Sequence, residues 1–334
     1  MGLRSAADAS TCLELGALVS GAPGVHGSPG SGIGSCSHPL EKRGDAGIRE
    51  APGNSQVIEI TIDGNGELTA SQQLVSPAVY LDHWALRAVS VDEILGARLT
   101  KVLEARGGTL LLSWANIAEF PSLDEASARR SEHFIEAQLP RLFFLELNPF
   151  EVIERDESLM AGGPPVPPHA DLDLLRLVAE LRPSGVQPIT CIGMLAKVSG
   201  AQQESTERMK AVFVERVRSL RAEYLEDADF RALFDRSLRG QAAPRGTAIV
   251  LREVVGGLMR DKSTPITPND ALDFFHTIVP VAYADFVLLD GRWRDQVDRL
   301  RVRLKRIGVE FPLATVFSGR DGVERLIAGL ESCS

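Results

Sequence analysis

The sequence predicts an α/β protein of three layers, α/β/α, on a central and mostly parallel sheet, with an added helical insertion. Three observations predict it. Two short apolar runs, Ala78-Val79-Tyr80-Leu81 and Phe286-Val287-Leu288-Leu289, have the length and the Val and aromatic content of strands buried on both faces. Each run is closed by an aspartate, Asp82 and Asp290. Around them, strand-like runs alternate with capped helical segments, the pattern of a doubly wound sheet.

Residues 1–54 are rich in Gly, Ser, Pro and Ala, as in Gly27-Ser28-Pro29-Gly30-Ser31-Gly32. So little large apolar surface cannot offset chain entropy, which predicts a disordered tail. Residues 55–75 read as a β-hairpin, because Val57 to Ile62 alternates and Asp63-Gly64-Asn65-Gly66 is a strong turn. The main domain then runs over 76–334. After the Asp82 strand, Ser90-Val91-Asp92-Glu93 is a capping box, opening a helix that Gly107-Gly108 ends. Thr109 to Ser113 is a second strand, followed by a short helix from Trp114 to Phe120 that Pro121 halts. Ser122-Leu123-Asp124-Glu125 opens a helix to about Leu139, and Leu142 to Glu146 is a third strand. From about 149 to 264 the chain turns Pro-rich and then helical and charged, its longest helix from about Gln203 to Leu238. This is the predicted insertion. Strand chemistry returns at Phe286 to Leu289 and at Leu313 to Phe317, each followed by a helix.

A formal net charge of −9 argues against a generic nucleic-acid-coating protein, while leaving room for a local basic patch. No apolar stretch approaches the roughly 20 residues that span a bilayer, so no membrane partner is expected. Cys12, Cys36, Cys191 and Cys333 are scattered and read as free thiols of a reducing compartment. With no basic region followed by an apolar core at the amino terminus, the expected location is cytoplasmic.

The acids carry the functional argument. In open α/β sheets, sites lie outside the carboxyl ends of the strands, so Asp82 and Asp290 are expected in one crevice. Two carboxylates there repel unless a cation sits between them. Glu119 lies on the short helix after strand two, among apolar neighbours. Thr267-Pro268-Asn269-Asp270 opens a helix with Thr267 as N-cap, which explains Asp270 structurally; Asp273 shares its face one turn later. A helix feeding a parallel strand starts at the same edge where strands end, which brings Asp270 and Asp273 towards Asp82 and Asp290. Asp285 begins its strand, so it is expected at the opposite edge and ranks lower.

In order and spacing these segments resemble the PIN-domain nucleases. The matching stretches are Val79-Tyr80-Leu81-Asp82, Ser113-Trp114-Ala115-Asn116-Ile117-Ala118-Glu119, Thr267-Pro268-Asn269-Asp270-Ala271-Leu272-Asp273 and Tyr283-Ala284-Asp285-Phe286-Val287-Leu288-Leu289-Asp290. The resemblance covers roughly half of the chain, outside the tail and the insertion, through short, degenerate motifs. It implies a Mg²⁺- or Mn²⁺-dependent endoribonuclease, a toxin of a toxin–antitoxin pair or an RNA-processing factor. The family's four acids fall on Asp82, Glu119, Asp270 or its neighbour Asp273, and Asp290. His83 and Trp84 stand where the family often has a small polar residue and Asn, and the insertion is far longer than in its compact toxins.

Hard divalent cations take oxygen ligands, and Mg²⁺ uses one or two carboxylates with retained waters and phosphate oxygens. Asp82 and Asp290 are the expected direct ligands, with Asp270, Asp273 and Glu119 holding the ion or its waters. An Arg-rich helix from about Arg292 to Ile307 offers Arg292 and Arg294 for an RNA backbone, with His83 and, in a lesser place, His276 flanking the acids. Partners left open are RNA, a cognate inhibitor protein and a second copy of the chain. The rival reading is a catalytically inactive PIN-like protein that binds a protein or RNA through its insertion. An aspartyl phosphatase at Asp82 would want a second Asp two residues on, where Trp84 stands.

Overall fold

The computed structural model describes residues 57–62, 68–119, 123–163, 167–181, 192–193, 195, 203–236, 246–261, 263–309 and 311–332. The predicted tail, the hairpin turn and all four cysteines lie outside the described residues.

A hairpin comes first, β1 (Ile58–Ile62) antiparallel to β2 (Leu68–Gln72). Five further strands form one all-parallel sheet: β3 (Ala78–Leu81), β4 (Thr109–Leu112), β5 (Leu142–Phe144), β6 (Phe286–Leu288) and β7 (Thr315–Phe317). Their order is β5-β4-β3-β6-β7. The chain therefore winds outward from β3 through β4 to β5, then crosses back to lay β6 on the other side of β3. The switch point of this doubly wound sheet lies between β3 and β6, which is where such folds open a crevice. Every residue of β3, β4 and β5 is buried, as expected for strands covered on both faces.

One covering layer consists of α1 (His83–Val91), α2 (Glu93–Arg106), α4 (Glu125–Ala137) and α12 (Arg320–Ser332), which pack on one another. The other holds α5 (Pro149–Met160), α7 (Gln203–Glu226), α9 (Gly246–Arg260), α10 (Asn269–Tyr283) and α11 (Gly291–Ile307). Short α3 (Trp114–Ala118) follows β4; α6 (Leu172–Leu181) packs on β2, and α8 (Ala228–Arg236) on α7. The insertion is thus built into the sheet's second layer, with α5, α7 and α9 packed on α10 and α9 also on α11. Among the described residues, no helix is long and apolar enough to cross a membrane.

Local chemistry corrects several boundaries. Asp82 caps α1, so Ser90 lies inside that helix, bonded to Ser131 at 2.7 Å, and Asp92 caps α2 instead. Gly107 ends α2 with φ 62, a left-handed conformation that only glycine adopts cheaply. The long predicted helix breaks at Asp227, whose carboxylate accepts from the N–H groups of Asp229 and Phe230 and caps α8. The third strand stops at Phe144, because Glu146 N–H turns to the carbonyl of His169. Gln72 covers that edge strand with its side-chain amide, giving 2.7 Å to Phe144 O and receiving 2.9 Å from Phe144 N–H.

Candidate functional site

Asp82 follows β3 and Asp290 follows β6, the two strands that flank the switch point. Each also starts a helix. Asp82 Oδ1 accepts from Ala85 N–H at 3.0 Å, and Asp290 Oδ1 accepts from Trp293 N–H at 2.9 Å. The caps fix both carboxylates at the carboxyl edge of the sheet and commit one oxygen of each, leaving the second oxygen for a ligand. Asp82 is 4% exposed.

Asp273 reaches the same place from the first turns of α10, and Glu119 from the end of α3. Their charges act on one another. Burial, with the charges of Asp273, Glu119 and Asp290, holds Asp82 well above the ordinary carboxylate range. Burial likewise pushes Asp273 up to about 6, with Asp290 and Glu119 adding repulsion and His276 opposing it. Burial also acts upward on Glu119, but hydrogen bonding and charge from His276, then charge from His83 and Lys210, outweigh it and hold Glu119 low. Glu119 Oε2 lies 3.4 Å from His276 Nε2 and 3.6 Å from His83 Nδ1. Burial lowers His83 against the pull of Glu119. The indole N–H of Trp293 is close enough to lower Asp273, yet falls outside hydrogen-bond geometry.

Beneath the acids runs a buried polar chain. His276 Nδ1 pairs with the Tyr80 hydroxyl, which is 3.1 Å from Ser113 Oγ. Ser113 donates to Asn116 Oδ1 at 2.8 Å, and Asn116 Nδ2 donates to Leu81 O at 3.0 Å, beside Asp82. Sequence reasoning gave His276 a minor role and passed over Tyr80 and Asn116. The available signals were a tyrosine in an otherwise aliphatic strand, whose hydroxyl needs a partner, and the Ser113-x-x-Asn116 spacing of a capping box. Lys210 comes from the insertion helix α7 and left no such signal.

Other expected site residues stand elsewhere. Asp270 has both oxygens engaged, Oδ1 by Arg292 Nη1 and Oδ2 by the Thr267 N–H at 2.7 Å and hydroxyl at 2.8 Å. It is not among the leading charges acting on Asp82 or Asp273, whereas Asp273 is among those acting on Asp82. The helix starts at Asn269 rather than Pro268, and Asp270 reaching back to Thr267 is the capping interaction that remains. Arg292 is turned to Asp270 instead of the crevice. Arg294, about 200° further round the helix, pairs with Asp295 at 2.6 Å in solvent. Asp285 lies at the opposite edge, where its Oδ2 accepts from Ala78 N–H at 2.7 Å and fastens β3.

A cluster of hard carboxylate oxygens fits Mg²⁺ or Mn²⁺. Among the described residues, no three His, Cys, Asp or Glu side chains close together as a ready-made metal site. An ion here would rest on one or two carboxylates, completed by water and substrate oxygens, which is the mode Mg²⁺ favours. Comparison with known proteins adds nothing further, since no family model, curated protein or solved structure matches the chain.

Proposed function

We propose that the chain is a divalent-metal-dependent endoribonuclease that hydrolyses RNA phosphodiester bonds at the Asp82–Glu119–Asp273–Asp290 cluster. One observation carries this reading. Four acids from four separate elements act on one another's charge about the switch point of a parallel sheet, two of them with pKa values raised by burial and then by mutual repulsion. Repulsion of that kind costs stability, and a cation relieves it.

Bound Mg²⁺ or Mn²⁺ would polarise the phosphodiester, lower the pKa of the attacking water and stabilise the leaving oxygen. Asp82 and Asp290 would hold the cation through the oxygens that their helix caps leave uncommitted. Asp273 adds charge as its proton leaves near pH 6. Glu119, kept anionic by His276, is the group placed to take a proton from an attacking water. His276 is oriented in turn by Tyr80, and Tyr80 by Ser113.

The test is cleavage of a mixed single-stranded RNA pool with Mn²⁺, Mg²⁺ or EDTA, beside Asp82→Asn. Asparagine caps a helix as well as aspartate does, so this variant removes charge without removing the α1 cap. Metal-dependent cutting that vanishes in the variant supports the enzyme. Equal behaviour of the two proteins under every metal sinks it, and leaves the inactive, partner-binding reading.

A further inference from the structure

The insertion reaches the acidic cluster through one helix. Phe213 of α7 is fully buried, with its ring 5.0 Å from that of Phe274 and 6.5 Å from that of Phe275. Those two phenylalanines stand between Asp273 and His276 on α10, so the contact docks α7 against the turn of α10 that carries site residues. Met209, Val214, Val217 and Leu220 continue the buried stripe of α7. Lys210 borders that stripe, three residues before Phe213 and about 4.5 Å away along the helix axis, on the same side. The other side of this turn is in solvent, where Arg208 pairs with Glu204 at 3.0 Å.

Lys210 is thus a largely buried cation beside a group of anions. Its side chain is 14% exposed, against 70% for Arg208. Its ammonium donates to Glu207 Oε1 at 2.7 Å, and Glu207 itself is 58% exposed. A pair of neighbours on one helix, with one member in solvent, holds weakly and exchanges readily. Towards the sheet, the Lys210 charge reaches Glu119 together with those of His276 and His83. The two imidazoles are charged only when protonated, whereas an ammonium is a compact charge with three donors. Arg292 and Arg294, the nearby guanidinium groups of α11, are engaged with Asp270 and Asp295. Four carboxylates outnumber the charge of one divalent cation, and an arriving phosphodiester adds to the excess. Lys210 is placed to offset it.

We propose that Lys210 is the phosphate-binding residue of the acidic site, its ammonium leaving Glu207 for a backbone phosphate of RNA held beside Glu119 and Asp273. This rests on the nuclease reading and gives the insertion a part in the site. The test is binding, not cleavage. A short labelled single-stranded RNA is titrated in Ca²⁺ over a range of salt with wild type, Lys210→Gln, Lys210→Arg, Glu207→Gln and the Lys210→Gln/Glu207→Gln double variant. Glutamine keeps the stem of either side chain, and Glu207 is exposed, so its replacement does not threaten the fold. Lys210→Gln is expected to bind several-fold more weakly, with a salt slope smaller by about one unit, and Lys210→Arg to restore the slope. Glu207→Gln is expected to bind more tightly, and to lose that gain once Lys210 is gone. Unchanged affinity and slope in Lys210→Gln overturn the proposal, even if the protein cuts RNA in Mn²⁺, and so does a wild type that binds no RNA. An equal gain from Glu207→Gln with and without Lys210 also overturns it, because Glu207 would then merely repel RNA. Weakened binding by Lys210→Gln, with the Glu207→Gln gain confined to chains that keep Lys210, supports it, even if no metal yields cutting and the catalytic reading falls.

Discussion

Arg292 and Asp270 form an ion pair that withdraws both from the acidic cluster one turn away. The guanidinium takes one oxygen of Asp270, and Thr267 takes the other. An aspartate with both oxygens occupied is a structural group, so in the proposed nuclease the third acid is the neighbouring Asp273.

Asp270→Ala should therefore act on stability rather than on chemistry. It leaves a part-buried guanidinium without its anion and Thr267 N–H without an acceptor, at a cost of about 2 kcal/mol. Urea unfolding measures that loss. Cleavage by the folded protein should survive, and a loss as complete as that in Asp82→Asn would return Asp270 to the site.

Asp273→Asn should do the reverse. The Asp273 pKa is raised to about 6 in the folded chain, from an ordinary value of 3.8. The folded state thus holds its proton more tightly than the unfolded state. Stability is full below the lower value and is lost as pH rises through the higher one. At pH 8 the ionised carboxylate costs about 1–2 kcal/mol after solvent screening, which the amide recovers. The variant should melt higher than wild type without metal, yet fail to cut. Wild type should instead gain roughly 5 °C from Mn²⁺ at a hundredfold excess over its dissociation constant. Thermal melts at pH 8, with Mn²⁺ or EDTA, test both halves, and a lower melting point for metal-free Asp273→Asn contradicts the repulsion argument.

Tyr80→Phe removes a buried hydroxyl that serves both His276 and Ser113. Leaving those groups without that partner should cost about 1–3 kcal/mol. Because His276 orients Glu119, cleavage should fall in kcat with KM little changed. A change in KM alone would mean that the chain of hydroxyls serves only the core.

The sheet was legible because its strands carry their own signal: Val79, Leu110 to Leu112 and Val287 are apolar on both faces and end in caps. Asp82 and Asp290 followed from the same logic, since strand ends fix where capping acids stand. The choice between Asp270 and Asp273 was not legible. It turns on Arg292, twenty-two residues from Asp270, and no local pattern announces that pairing. Lys210 is similar, brought to Glu119 only by packing of α7 on α10. Only the second of the two helices before β4 was read, opened at Ser90 because Ser90-x-x-Glu93 matched a capping box, while Asp82, read as a site acid, caps a first helix that the reading left out.

A second acidic pair, Glu146 and Asp171, sits beyond β5 and should set the pH dependence of folding. Burial pushes Glu146 up to about 8, with the charge of Asp171 adding to it, and burial pushes Asp171 up to about 6. Arg155 offers only partial relief, since its Nη2 is 3.8 Å from Glu146 but 2.8 Å from Glu151. Glu146 nonetheless keeps Asn148 N–H as a donor at 2.8 Å. Raised values mean that the folded chain holds protons the unfolded chain has released. The contribution of this pair should be full below the ordinary values of 3.8 and 4.5 and decline as pH climbs towards 8. Glu146→Gln keeps the acceptor for Asn148 and deletes the charge, so it should flatten that decline and stabilise the protein at pH 8 by about 2 kcal/mol, Asp171 retaining its own share of the cost. Urea midpoints of the two proteins from pH 5 to pH 8 decide the matter. Parallel curves would mean that water or Arg155 already compensates the charge, and that the fall in stability arises at the Asp82–Asp273 cluster instead.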